Sequence, residues 1–169
     1  MSRDRRYQYL VEGECEKKLI DVLKQEGNLI VSGKVEVFNV IQQRFTKARL
    51  RNIRQNTIMV LVFDTDTSDA AILKQNIEML RKSANVKDVW CVPQINNLEE
   101  ELQRATGSKS VKSLVGSPSD KEFKHYFLRE KNLYSKLMEN GFDLRKMWIS
   151  IPDGEFAEIV NAGAKIKQK

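Results

Sequence analysis

Apolar residues fall along this chain in two rhythms, and the alternation between them sets out the elements. Residues 57–63, Thr-Ile-Met-Val-Leu-Val-Phe, form an unbroken aliphatic and aromatic run. A run this apolar on both faces reads as a strand buried on both sides, and such strands belong to parallel sheets covered by helices. It ends abruptly in Asp64-Thr65-Asp66. Ligands of open parallel sheets sit beyond the carboxyl ends of the strands. Residues two apart on a strand point the same way, so Asp64 and Asp66 are expected to converge on one hard cation.

The rest of the chain supplies partners for that strand. Residues 7–11, Tyr-Gln-Tyr-Leu-Val, predict a short strand that ends at Glu12, and Gly13 is expected to let the chain turn tightly out of it. Cys15, Leu19, Val22 and Leu23 then follow a helical stripe. Glu14 and Glu16 fall in its first turn, where they complement the positive end of the helix dipole; Glu12 differs, standing at a strand end as Asp64 does. Gly27-Asn28 closes the helix, and residues 34–41 predict a second strand. Thr67 and Ser68 are expected to cap a helix carrying Leu73, Ile77 and Leu80, with Asp69 in its first turn. Residues 86–92 predict a strand stopped by Pro93. Leu98, Leu102 and Ala105 then share one helical face, leaving Glu99 and Glu100 directed at the sheet end or into water.

Beyond residue 105 the pattern weakens. Residues 106–118, rich in Ser, Gly and Lys, read as a mobile basic loop. Ser119-Asp120-Lys121-Glu122 is a capping box before Phe123 and Phe127, and a further helix with Leu133 and Leu137 ends at Asn140-Gly141. Residues 146–151 predict a last strand, and the tail after Gly163 is expected to fray. The organisation expected is α/β, a mostly parallel sheet with helices on both faces in residues 1–105, with residues 106–169 a basic loop and helical extension packed on the same domain.

Composition narrows the chemistry. At 169 residues the chain is long enough to bury a core without disulfides or a structural metal. Cys15 and Cys91 lie in no Cys/His cluster and read as buried free thiols. The charged amino terminus lacks an apolar signal core and no stretch reaches the length of a membrane span, so the cytoplasm is the default compartment. His125, the only histidine, reads as structural or surface. Neither GxxxxGK[ST] nor GxSxG occurs, which argues against P-loop hydrolysis and serine-type acyl transfer. The net charge is +6, which suits a polyanionic partner. Between Glu36 and Asp64 there is no acid, whereas Arg44, Lys47, Arg49, Arg51 and Arg54 crowd a short span. The span is either a solvated helix face or a phosphate-contacting patch, and the second is favoured because a site for metal and polyanion needs positive charge nearby.

Three strand ends therefore present acids: Glu12, the Asp64/Asp66 pair, and Glu99 or Glu100. Oxygen ligands without His or Cys are what Mg²⁺ or Mn²⁺ takes. Tyr9-Leu10-Val11-Glu12-Gly13-Glu14-Cys15-Glu16 followed by Val62-Phe63-Asp64-Thr65-Asp66 resembles the Toprim domain of topoisomerases, primases and related nucleases. With Asn97-Leu98-Glu99 it is most similar to overcome-lysogenization-defect nucleases and small stand-alone relatives, some of which act in phage defence. The resemblance covers roughly the first two thirds of the chain. It implies a Toprim-like fold and a Mg²⁺- or Mn²⁺-dependent nuclease or related phosphoryl-transfer enzyme. Glu12 would be a general acid/base or a metal-adjacent carboxylate, Asp64 and Asp66 would hold the metal, and Glu16 and Glu99 are candidates for a second ion. The alternative is a non-catalytic scaffold that binds nucleic acid or a partner protein through the arginine span.

Overall fold

The structure, a computed structural model, describes residues 5–67 and 69–168. Four parallel strands, β1 (Arg6–Val11), β2 (Lys34–Val37), β3 (Thr57–Asp64) and β4 (Val86–Gln94), lie in the order β2-β1-β3-β4. The most apolar run is thus an interior strand: β3 pairs with β1 on one side and β4 on the other. Period two divides its side chains between two cores. Ile58, Val60 and Val62 join Tyr9, Val11, Trp90 and Val92 on one face; Met59, Leu61 and Phe63 join Leu10, Val89 and Cys91 on the other. The fold is α/β, with helices on both faces of an all-parallel sheet.

The first face is covered by α1 (Glu14–Gln25), α4 (Leu98–Thr106), α5 (Phe123–Arg129), α6 (Leu133–Glu139) and α7 (Gly163–Ile166). Phe123, Phe127, Leu133, Leu137 and Trp148 share that core with β1 and α1, so the segment after residue 105 completes the sheet's covering layer. The other face is covered by α3 (Ala71–Lys82) and by residues 38–45, with α2 (Lys47–Arg51) beyond them.

Several boundaries differ from the sequence-based expectation. The second strand stops at Val37 because the Asn39 side chain accepts from the amides of Ile41 (3.0 Å) and Gln42 (3.3 Å), turning the chain off the sheet. Phe38, Val40 and Ile41 are nonetheless buried, held down by Asn76 of α3. Its amide accepts from Phe45 N (2.9 Å) and donates to Val40 O (3.0 Å) and Gln43 O (2.7 Å). Pro93 does not end β4, which is an edge strand and tolerates a residue without an N–H. Helix α3 begins at Ala71, whose amide is accepted by Asp69 Oδ1 at 2.8 Å, so Asp69 is helix-start chemistry. Ser68, expected to cap it, lies outside the described residues, as do residues 1–4 and Lys169.

The expected basic loop contains a 3₁₀ turn at Val111–Leu114, with Val111, Leu114 and Val115 buried. Half of the capping box forms, Ser119 Oγ accepting from Glu122 N (3.3 Å) while Ser119 N donates to Ser117 Oγ (3.3 Å) instead of to Glu122, and the glycine C-cap forms, Gly141 taking φ +71° after α6. Residues 146–151 form no strand. Instead Trp148, 1 % exposed, sits at φ +57°, a backbone conformation a bulky residue adopts only where its surroundings over-determine it. The tail is docked rather than frayed. Val31 N donates to Ile166 O and Gln168 N to Leu29 O, both at 2.8 Å, so the end of the described chain clasps the α1–β2 connection.

A candidate acidic site at the carboxyl ends of the strands

The carboxyl ends of β1 and β3 are neighbours in a parallel sheet, so the residues that finish them meet at one edge of the molecule. Glu12 follows β1 and Asp64 closes β3. The Glu16 and Asp66 carboxylates raise the proton affinity of both; Glu12 raises that of Asp64, whereas the hydrogen bonds Glu12 makes with Asp64 pull its own back down. Burial is the largest cause in both: Glu12 is pushed up to about 7 and Asp64 to about 8, so the two behave as one pair holding a proton near neutrality. Glu16, on the first turn of α1, is 6 % exposed, and burial raises it too. Gly13 has an ordinary extended φ of −154°, so left-handed freedom is not its purpose. A Cβ there would lie 3.2 Å from Glu16 Oε2, so the missing side chain leaves that carboxylate its place.

The strand ends at Asp64, one residue too early for the expected alignment of Asp64 with Asp66. Thr65 N turns to Gln94 O and Asn96 O, both at 3.1 Å, and Asp66 is an exposed residue beyond the sheet whose charge still reaches Glu12 and Asp64. Glu99, on the first turn of α4, faces Glu16 and Cys15 and stands 3.9 Å from Lys124 Nζ. Glu100 is committed elsewhere, accepting from Asn96 Nδ2 at 2.7 Å. Among the described residues, no three Asp, Glu, His or Cys side chains are gathered at metal-ligand spacing. The five acids approach one another electrostatically without forming a closed ligand cage.

Gln94, which pattern reading passed over, fixes Asp64. The register pairs Asp64 with Gln94, and period two continues Trp90 and Val92 into Gln94, so its side chain enters the same core face. Fully buried, it donates from Nε2 to Asp64 Oδ1 at 2.7 Å and accepts at Oε1 from Trp148 Nε1 at 3.3 Å. The indole donor settles which end of the amide faces Asp64. Trp148 is itself held by Glu101, 0 % exposed, whose Oε2 accepts from Trp148 N (2.9 Å) and whose Oε1 accepts from Ile95 N (3.1 Å) and Arg104 Nη2 (2.9 Å). A chain of buried polar contacts thus runs from Asp64 to the carboxyl-terminal segment. The signal for Gln94 was its period-two spacing, masked by Pro93.

Lys124 of α5 was also missed, because nothing in the sequence brings α5 to the strand ends. Burial alone would lower its pKa, but the carboxylates of Glu99, Glu16 and Asp64 carry it upward. It is the cation that faces the acids. The arginine span behaves differently. Arg49 is engaged structurally, paired with Glu36 and with its guanidinium 4.3 Å from the centre of the Phe38 ring. Arg44, Lys47 and Arg51 are exposed, while Arg54 lies beside Thr57 and Arg6, at the amino ends of the strands and away from the acids. Of the five cations expected beside the acidic site, Arg54 therefore lies at the other end of the sheet and Arg49 is committed to Glu36 and Phe38. His125 is exposed, edge-on to Tyr126, and Cys15 and Cys91 are buried free thiols. Among the described residues no helix is long and apolar enough to cross a membrane.

Compared with models of protein families, with curated proteins and with solved structures, the chain matches none.

Proposed function

We propose that the chain is a Toprim-type hydrolase of nucleic-acid phosphodiesters that depends on Mg²⁺ or Mn²⁺. The observation that carries this reading is the meeting of Glu12, Asp64, Glu16 and Asp66 at the carboxyl ends of adjacent parallel strands, in surroundings that make their mutual repulsion costly. The donor set fits such an ion: it is all oxygen, and the carboxylates hold a proton where a cation would relieve them better. Asp64 and Asp66 would hold the ion, with Glu16 and Glu99 available to a second. Bound there, Mg²⁺ or Mn²⁺ supplies positive charge to a phosphoryl group in displacement. Glu12, with a proton affinity near neutrality, moves the proton as general acid/base. Gln94 keeps the Asp64 carboxylate oriented, and Lys124 offers a second positive charge to a phosphate.

Calorimetric titration of Mg²⁺ and Mn²⁺ into the wild type and an Asp64→Ala/Asp66→Ala variant, followed by incubation of both with labelled DNA and RNA, tests the reading. Metal binding and cleavage are both expected to vanish in the variant while it stays folded, because removing mutually repelling carboxylates costs little packing. Cleavage that survives in the variant overturns the assignment.

A second reading, a non-catalytic scaffold that binds nucleic acid or a partner protein, is favoured by one observation. Arg44, Lys47 and Arg51 are exposed and carry no ion-pair partner among the described residues. Its mark is metal-independent binding that fails when these three are neutralised.

A further inference from the structure

At the opposite end of the sheet from the acids lies a recess of about 570 Å³ lined by the amino ends of β1, β2 and β3. That size is within the roughly 300–1,000 Å³ of small-ligand sites. Four cations face it, Arg5, Arg6, Lys34 and Arg54, together with Gln8 and Asn52, and no described acid lines it. They are cations the fold has not neutralised. None of Arg5, Arg6 and Arg54 takes part in an ion pair among the described residues. Lys34 stands 3.9 Å from Glu36, whose carboxylate already accepts from Gln8 Nε2 (3.1 Å) and pairs with Arg49. Two of the four have anchored backbones: Arg6 is a β1 residue in register with Thr57, and the carbonyl of Arg54 accepts from Thr57 Oγ1 at 2.7 Å. In a chain of net charge +6, this is a concentrated positive field.

We propose that this recess binds the phosphate backbone of nucleic acid, without metal and without regard to base sequence. Guanidinium groups suit phosphate because their donors match its oxygens two at a time. Tyr7, the aromatic of the lining, is partly buried against the core, its ring 5.5 Å from that of Trp90. The recess therefore offers charge and hydrogen bonds, which position a backbone, rather than the stacking platforms or edge contacts that read sequence. An anionic membrane is a poorer fit, since the lining is concave and polar and presents no apolar side chain for insertion. The inference goes beyond the hydrolase reading and needs none of the acids.

The test is fluorescence anisotropy of labelled single-stranded DNA of mixed and of homopolymeric sequence, in EDTA, across a salt series. An Arg5→Ala/Arg6→Ala/Arg54→Ala variant is compared with Lys121→Ala/Arg129→Ala/Lys131→Ala, which removes the same charge from exposed positions elsewhere. The recess variant is expected to lose at least about tenfold in affinity and to flatten the salt dependence, at about 0.7 in log–log slope for each phosphate of the single strand that it no longer neutralises. The other triple variant is expected to stay within about twofold. Should the alanine variant fail to fold, the single Arg5→Glu, ahead of β1, replaces it with the same expectation of weakened binding. Absence of binding by the wild type in EDTA overturns the inference. So do equal losses in the two triple variants, dependence on base sequence, or tighter binding to phosphatidylserine vesicles than to DNA. Since metal and cleavage are not involved, failure here leaves the hydrolase reading standing, and failure of that reading leaves this one.

Discussion

Asp64 carries two consequences at the scale of single residues. Its pKa and that of Glu12 are raised by folding, so between the ordinary carboxylate range near 4 and the folded values of about 7 and 8 the native state holds more protons than the unfolded chain. Stability of the metal-free protein is then greatest at the acid side of this window and falls as pH rises through it. The slope is up to roughly 1.4 kcal/mol per pH unit for each extra proton, less where water screens the pair. Urea midpoints measured from pH 5 to pH 8.5 in EDTA are expected to decline, and Asp64→Asn is expected to flatten the decline and raise the midpoint at pH 8. A midpoint that rises with pH in the wild type contradicts the pairing. Glu12 and Asp64 were legible because strand ends can be read from apolar runs. Gln94 was not, since a buried amide between Pro93 and a loop carries no charge or periodic signal strong enough to stand out. Lys124 was not, because its place depends on how α5 returns to the sheet.

Among elements, α4 ties the site to the carboxyl-terminal segment through one side chain. Glu101 gathers the amides of Ile95 and Trp148 and the Arg104 guanidinium, whose Nε finds no partner among the described residues. Removing the carboxylate leaves the buried Trp148 amide and the Ile95 amide without their acceptor, while Arg104, one third exposed, keeps Glu100 and the Ile95 carbonyl, so Glu101→Ala is expected to cost about 1–3 kcal/mol in urea unfolding. A Glu101→Ala protein as stable as wild type contradicts the arrangement. The regular elements β1, α1, β3, β4 and α4 follow from apolar periodicity. The stretch at 34–41 and the segment after 143 do not, because burial there is set by side-chain hydrogen bonds. Asn39, Asn76 and Glu101 bend the chain, and apolar residues such as Phe38 and Trp148 are buried without belonging to a strand.

Over the whole molecule, the tail bonded at Val31 and Gln168 makes the two ends of the core one cooperative body. Amide exchange at these two positions is expected to be protected well beyond that of an unstructured peptide, and free exchange at Gln168 would show the clasp to be absent. The contact between Trp148 and Gln94 also gives the molecule an order of birth. On a ribosome the strands β1, β3 and β4 and every one of the five acids emerge before residue 148, so the orientation of Asp64 arrives later than the acids themselves. A nascent chain already carries all of its acids, and its Asp64 still lacks the contact that orients Gln94.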